Sequence, residues 1–199
     1  MRKFFILCLM AFVMCSCNLE QKRIAEERAR FVADSIATRK LEIADSLAKA
    51  REREKFVADS IAKVEHINAV KNSIQLKTYS LDYANSVGGR DMFIRFYNIS
   101  KKTIKYIRFE CRYYNAVDDV VYCEIRNNST FTGKVTGPIK YWEYYSATWD
   151  CPIYNWSAKK MDIIGITIDY MDGTHLRISK EEMKLVKGYN GKKSLDYSF

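Results

Sequence analysis

The chain has 199 residues with 33 Lys and Arg against 24 Asp and Glu, a formal net charge of +9. The basic residues are spread along the chain and form no cluster within a nucleic-acid-binding motif, so the charge points to anionic surfaces or polymers and away from DNA or RNA. There is no nucleophile elbow, no phosphate-cradling glycine loop and no metal-ligand spacing, so the expectation is a non-enzyme without metal or cofactor.

The chain opens with Arg2 and Lys3, followed by eleven apolar residues from Phe4 to Met14. A spanning helix needs about 20 apolar residues, so this run is too short to cross a membrane and stay. A positive flank and a short apolar run describe a signal peptide over residues 1–16. Met14-Cys15-Ser16-Cys17 closes it. This stretch resembles the lipobox of Gram-negative lipoproteins, in the loosened form of the Bacteroides group. Cys15 departs from the strict pattern, which prefers a small residue there. The resemblance implies cleavage before Cys17, acylation of its thiol with diacylglycerol and fatty acid such as palmitate, and a lipid-anchored place in the bacterial envelope, at the outer membrane. Several acyl chains together anchor stably where one would not.

All eight glycines and both prolines lie after position 87, and Ala, Glu, Lys, Arg and Ile dominate before it. Residues 17–72 therefore read as a long charged helical arm. The heptapeptide beginning at Phe31 recurs at Phe56, and a third partial copy begins at Ile43. Ile36, Ile43, Ala50, Val57 and Val64 recur at sevens, with Leu47 and Ile61 between them. That is a thin coiled-coil seam, interrupted by Lys40 and Glu54. It admits a solvated single helix or a weak homo-oligomer through the arm. Glu26/Arg30, Asp45/Lys49 and Asp59/Lys63 are i,i+4 pairs in the favourable order. Asp34-Ser35-Ile36, Asp45-Ser46-Leu47 and Asp59-Ser60-Ile61 resemble the Asp-Ser/Thr-aliphatic O-glycosylation signal of the same bacterial group, which implies Ser35, Ser46 and Ser60 as acceptors. The alternative is helix-forming filler. His66 reads as a surface residue.

Residues 73–199 change character. All 14 tyrosines and all three tryptophans lie from Tyr79 onward. Aromatic and β-branched runs alternate with turn signals, which predicts an antiparallel β-sandwich. The predicted strands are Gln75–Tyr83, Asp91–Asn98, Ile104–Tyr114, Val120–Arg126, Ile139–Trp149, Asp162–Tyr170 and Thr174–Ile178. Ser179 and Glu182 form a capping box that predicts a short helix through Val186.

A hairpin centred on Val117 sets Tyr113 opposite Val121, Cys111 opposite Cys123 and Phe109 opposite Ile125, all on one face. Cys111 and Cys123 then either form a disulfide or stay as two buried thiols. Cys151 is the odd thiol. The stretch from Tyr97 to Ser100, Tyr113-Tyr114-Asn115, Gly137-Pro138-Ile139 and the run Ile166 to Thr174 make the region similar to FxLYD-like and related immunoglobulin-like domains of envelope proteins. That likeness implies a fold for adhesion, spacing or partner binding, with no catalytic residues.

Tyr141 to Trp149, followed by Tyr154 and Trp156, is the aromatic stretch from which binding residues are expected. Strand alternation points Tyr141, Tyr145 and Trp149 one way and Trp142 and Tyr144 the other. One set fills the core. The other is either covered by the arm or a loop, or exposed for stacking on sugar or protein. Asn98, Asn127, Asn128 and Asn155 each begin an Asn-x-Ser/Thr triplet, which in a bacterial lipoprotein is coincidental. The chain thus reads as an envelope lipoprotein presenting a binding module on a helical stalk. The alternatives are a spacer or assembly subunit acting through the coil, and a glycan-binding accessory of an envelope enzyme. The expected partners are the membrane through the lipid, and a protein or envelope glycan.

Overall fold

The computed structural model describes the backbone of residues 2–194 and the side chains of residues 20–193. Cys17, the expected acylation site, lies outside the described side chains. The helix α1 (Arg2–Lys71) is followed by β1 (Ile74–Ala84), β2 (Gly89–Asn98), β3 (Ile104–Tyr114), β4 (Thr130–Ile139), β5 (Tyr144–Tyr154), β6 (Lys160–Tyr170), β7 (His175–Ile178), a 3-10 turn (Met183–Leu185) and β8 (Lys193–Ser194). The chain divides into two compact units after Ile61.

Nothing in α1 interrupts the i→i−4 ladder, since no Gly or Pro occurs before Val87. Asp45 and Lys49 close one of the i,i+4 pairs at 2.7 Å. Ile36, Ile43, Leu47, Val57 and Ile61 are all exposed. The Ser46 and Ser60 hydroxyls donate back to the carbonyls of Ile43 and Phe56. The helix ends where the Ser73 hydroxyl and amide both turn back onto the Val70 carbonyl, and Ile74 begins the first strand.

The second unit carries an antiparallel β-sandwich. One sheet has the order β1-β2-β5, and the other has β4-β3-β6-β7 with β8 beside β6. Three strands facing four in this order is an immunoglobulin-like arrangement. Alternate side chains meet between the sheets: Leu76 and Tyr79 of β1, Ile94 and Phe96 of β2, Ile107, Phe109 and Cys111 of β3, and Ile166 and Ile168 of β6. The register slips by one residue between Glu110–Gly165 and Cys111–Ile163, so a bulge at Ile164 lets both Ile163 and Ile166 face inward. The Trp149 indole lies flat against Gly133 of the edge strand β4, where an added Cβ would stand 2.6 Å from the ring. Phe109 and Phe131 meet the same indole edge-on, each at 6.4 Å. The glycine is therefore a seat for the half-buried Trp149 indole, which packs against the core.

Three expected elements differ. Residues Val120–Arg126 do not form a strand. The hairpin register is right for its first two pairs, Tyr114–Val120 and Tyr113–Val121. The pairing stops after Val121, and Asn127, at φ +50°, closes a turn onto the Cys123 carbonyl. The edge of β3 is taken instead by β4, which supplies a longer ladder. Cys111 consequently sits between Phe131 and Ile163, not opposite Cys123. Both are buried free thiols and no disulfide joins them. Burial pushes the Cys111 thiol far up from its usual range. Ile125, expected opposite Phe109, is exposed.

The strand expected over Ile139–Trp149 is broken by a turn at residues 140–143. The helix expected after Ser179 is the three-residue 3-10 turn, although the Ser179 amide does donate to the Glu182 carboxylate at 2.9 Å. The other Glu182 oxygen meets His66 Nε2 at 2.8 Å, so His66 is engaged with the sandwich and is not a free surface residue. Asn98 and Asn155 each accept from the amide and hydroxyl of the serine two residues on. These two triplets are Asx turns.

Candidate functional site

The site is built on Asn98, the last residue of β2, which is fully buried. All of its polar groups are used. Its side-chain amide donates to the carbonyls of Lys102 and Ile139, both at 2.9 Å. Its side-chain oxygen accepts from the Ser100 amide and hydroxyl. Its backbone N–H donates to the Glu143 carbonyl, and its carbonyl accepts from the Trp142 amide at 2.6 Å. One residue thus fixes the loop after β2 and the turn between β4 and β5.

That turn has no glycine, proline or asparagine. It closes by the Glu143 amide donating to the Lys140 carbonyl, and the Glu143 carboxylate receives the Lys140 amide at 2.6 Å. Trp142 takes φ +60°, a left-handed conformation that costs a bulky residue about 1–2 kcal/mol. The turn ends the strand alternation, so Tyr141 does not follow Tyr145 and Trp149 into the core. Tyr141, Trp142 and Tyr144 are 51%, 55% and 48% exposed. Tyr145 packs against Phe96 at 5.9 Å, and Trp149, half-buried like Tyr145, packs against the core. The outward set is therefore uncovered among the described residues.

The exposed rings cluster on half-buried Tyr97. Trp142 meets Tyr97 edge-on at 6.1 Å, Tyr144 meets it across the strands at 5.2 Å, and Tyr141 lies 5.9 Å from Trp142. Lys77 Nζ stands 5.4 Å over the Tyr97 ring, within cation–π range. Beside this patch runs a groove of about 630 Å³ lined by Tyr141 and Trp142 together with Tyr170, His175 and three lysines, Lys101, Lys102 and Lys187. Lys102 is held by Thr174 at 2.8 Å and Asp172 at 2.9 Å. The Thr174 hydroxyl, and then Lys102, hold the Asp172 carboxyl well below the usual carboxylate range. His175 Nδ1 meets Asp169 at 2.7 Å, and Arg108 meets the other Asp169 oxygen at 2.7 Å. These two partners lower the Asp169 carboxyl.

Flat exposed rings beside a concave groove offer a stacking surface to a ligand. Among the described residues, no group of three or more His, Cys, Asp or Glu side chains converges as a metal site would require. Ser35, Ser46 and Ser60 are exposed on α1. Tyr97, Lys77 and the three groove lysines escaped the sequence reading because they come from separate segments. Asn98 carried a signal, the Asn-x-Ser triplet that marks its Asx turn. No family model, curated protein or solved structure matches the chain.

The backbone of Trp142 gives a direct test of the left-handed turn. Glycine adopts this conformation without cost. Trp142→Gly is expected to be more stable than Trp142→Ala by about 1 kcal/mol, read as a shift in the urea midpoint at unchanged slope. Equal stabilities would mean that the turn is not strained.

Proposed function

We propose that this protein is a lipid-anchored cell-envelope protein whose sandwich binds an envelope glycan through the aromatic patch beside the groove. The observation that carries the reading is the set of exposed rings at Tyr141, Trp142 and Tyr144, packed on Tyr97 and held by a turn tied to a buried asparagine. Monomeric soluble domains rarely leave a contiguous aromatic patch without use. Sugar rings present flat C–H faces that stack on such rings, while lysines and backbone groups at the rim serve the hydroxyls. The anchor rests on the short apolar run and on Ser16-Cys17. The long helix serves as the stalk, and the Asp-Ser-aliphatic repeats serve as O-glycan acceptors at Ser35, Ser46 and Ser60.

Full-length Cys17→Ser protein, freed of the lipid, is the form to test against immobilised polysaccharides. Trp142→Ala and Tyr144→Ala are each expected to weaken binding by about tenfold or more with the circular dichroism spectrum unchanged. Binding that survives both substitutions together would overturn the aromatic site. The anchor is read separately by the intact mass of membrane-extracted protein. A chain beginning at Cys17 with added acyl mass is expected, lost on Cys17→Ser, and hexose-type increments are expected to vanish on Ser35/Ser46/Ser60→Ala. A chain retaining residues before Cys17 would sink the lipoprotein reading.

A further inference from the structure

We infer that the ligand of the groove is an acidic polysaccharide, one whose sugar rings carry carboxylate or a like anion; this rests on the glycan-binding reading above. The groove is lined by three lysines and a histidine, and no aspartate or glutamate lines it. Two of these bases have carboxylates behind them: Lys102 has Asp172 and His175 has Asp169. Lys101 and Lys187 have no carboxylate partner among the described residues, and both are exposed. Lys77 adds a further cation at the Tyr97 ring of the same patch.

The two unpaired lysines sit on backbone that is already fixed. Lys101 lies between Ser100, whose amide and hydroxyl bond to Asn98, and Lys102, whose carbonyl receives the Asn98 amide. The Lys187 carbonyl receives the Leu76 amide at 2.8 Å, which docks the segment against β1. Positive charge is therefore presented at set positions next to two stacking rings. Rings and cations lining one groove match a polymer that carries anionic substituents on flat sugar rings. The site is concave, and its volume falls within the range of small-ligand pockets, about 300–1,000 Å³. A flat anionic bilayer cannot enter such a groove, whereas a short stretch of saccharide can.

The experiment uses full-length Cys17→Ser protein and three probes: polygalacturonate, the same polymer methyl-esterified, and vesicles containing phosphatidylglycerol. Polygalacturonate is expected to bind about tenfold more tightly than its ester. Lys101→Ala/Lys187→Ala is expected to abolish that preference and leave the Trp142-dependent binding of the ester. Lys159→Ala/Lys184→Ala, exposed lysines outside the groove, is expected to change nothing, which separates the site from general basicity. Equal affinity for acid and ester would overturn the charge inference while the glycan reading stands. Failure of both polymers to bind would overturn both. Vesicle binding that depends on Lys101 and Lys187, with no saccharide binding, would overturn the inference in favour of a membrane surface.

Discussion

Replacing Asn98 by alanine is expected to lower folding stability by about 4 kcal/mol and to abolish the binding site at the same time. Four side-chain hydrogen bonds disappear together. Each bond contributes about 1 kcal/mol, and a buried group left unpaired costs about 1–3 kcal/mol. The Ile139 carbonyl becomes such a group, since its Asn98 donor is bonded to it in a buried setting. Asn98→Asp is expected to be at least as damaging at neutral pH. The carboxylate still accepts from Ser100, but it turns a charge toward the carbonyls of Lys102 and Ile139. Urea unfolding of the two variants checks this. A loss under 1 kcal/mol for the alanine form would mean that the loop and the turn hold without their hub.

Gly188→Ala is expected to cost about 3–5 kcal/mol, or to release the segment that follows β7 altogether. Gly188 has φ +78°, and an added Cβ would collide with the Leu76 carbonyl, which is backbone and cannot step aside. The residues beyond it depend on this approach. Tyr189 stacks on Tyr79 at 6.2 Å, nearly parallel. Its hydroxyl donates to the buried Asp162 at 2.6 Å, and the Tyr79 hydroxyl donates to the Gly191 carbonyl at 2.6 Å. Burial pushes Tyr79 up to about 12, so its phenol stays a donor throughout the physiological range. Displacing the segment would leave the Asp162 carboxylate buried without its phenol donor and uncover the outer edge of β1. Limited proteolysis and thermal unfolding read the two effects. A Gly188→Ala protein with wild-type stability and protease resistance would show that the segment has another way to pack. Tyr189→Phe, which removes only the hydroxyl, is expected to cost less, about 1–3 kcal/mol.

What local pattern could and could not disclose follows from these interactions. The helix was legible because nothing before Val87 breaks one. β3 was legible because its residues from Ile107 to Tyr113 alternate apolar and polar without a break. β4 was hidden. Gly133, Gly137 and Pro138 are turn-forming residue types, yet an edge strand tolerates proline, and Gly133 is required by Trp149 from another strand. Val120–Arg126 has strand composition and even the right first pairs, but which segment takes the edge of β3 is a competition between distant pieces of chain. The turn at Tyr141-Trp142 carries none of the usual turn residues, because its conformation is fixed by Asn98 some forty positions away. Strand alternation therefore disclosed that Tyr145 and Trp149 face away from Trp142 and Tyr144, but not the outward turn of Tyr141 or the lysines beside the rings.

The compositional border near Ser73 is not the mechanical border of the sandwich. The second unit begins at Ala62, inside α1. Val70 is completely buried in the same cluster as Ile74 and Leu76, His66 holds Glu182, and the Ser73 carbonyl receives the amides of Ile99 and Ser100. The last turn of the helix thus joins the β core through Val70, and His66 ties the turn before it to the sandwich. A fragment excised at Ser73 would open that core at Val70 and loosen the loop that shapes the groove, while one begun at or before Ala62 would keep both. By the same argument, arms of different length or sequence can be grafted onto this domain only upstream of Ala62, so the residues from Ala62 to Ser73 travel with the strands in any such exchange.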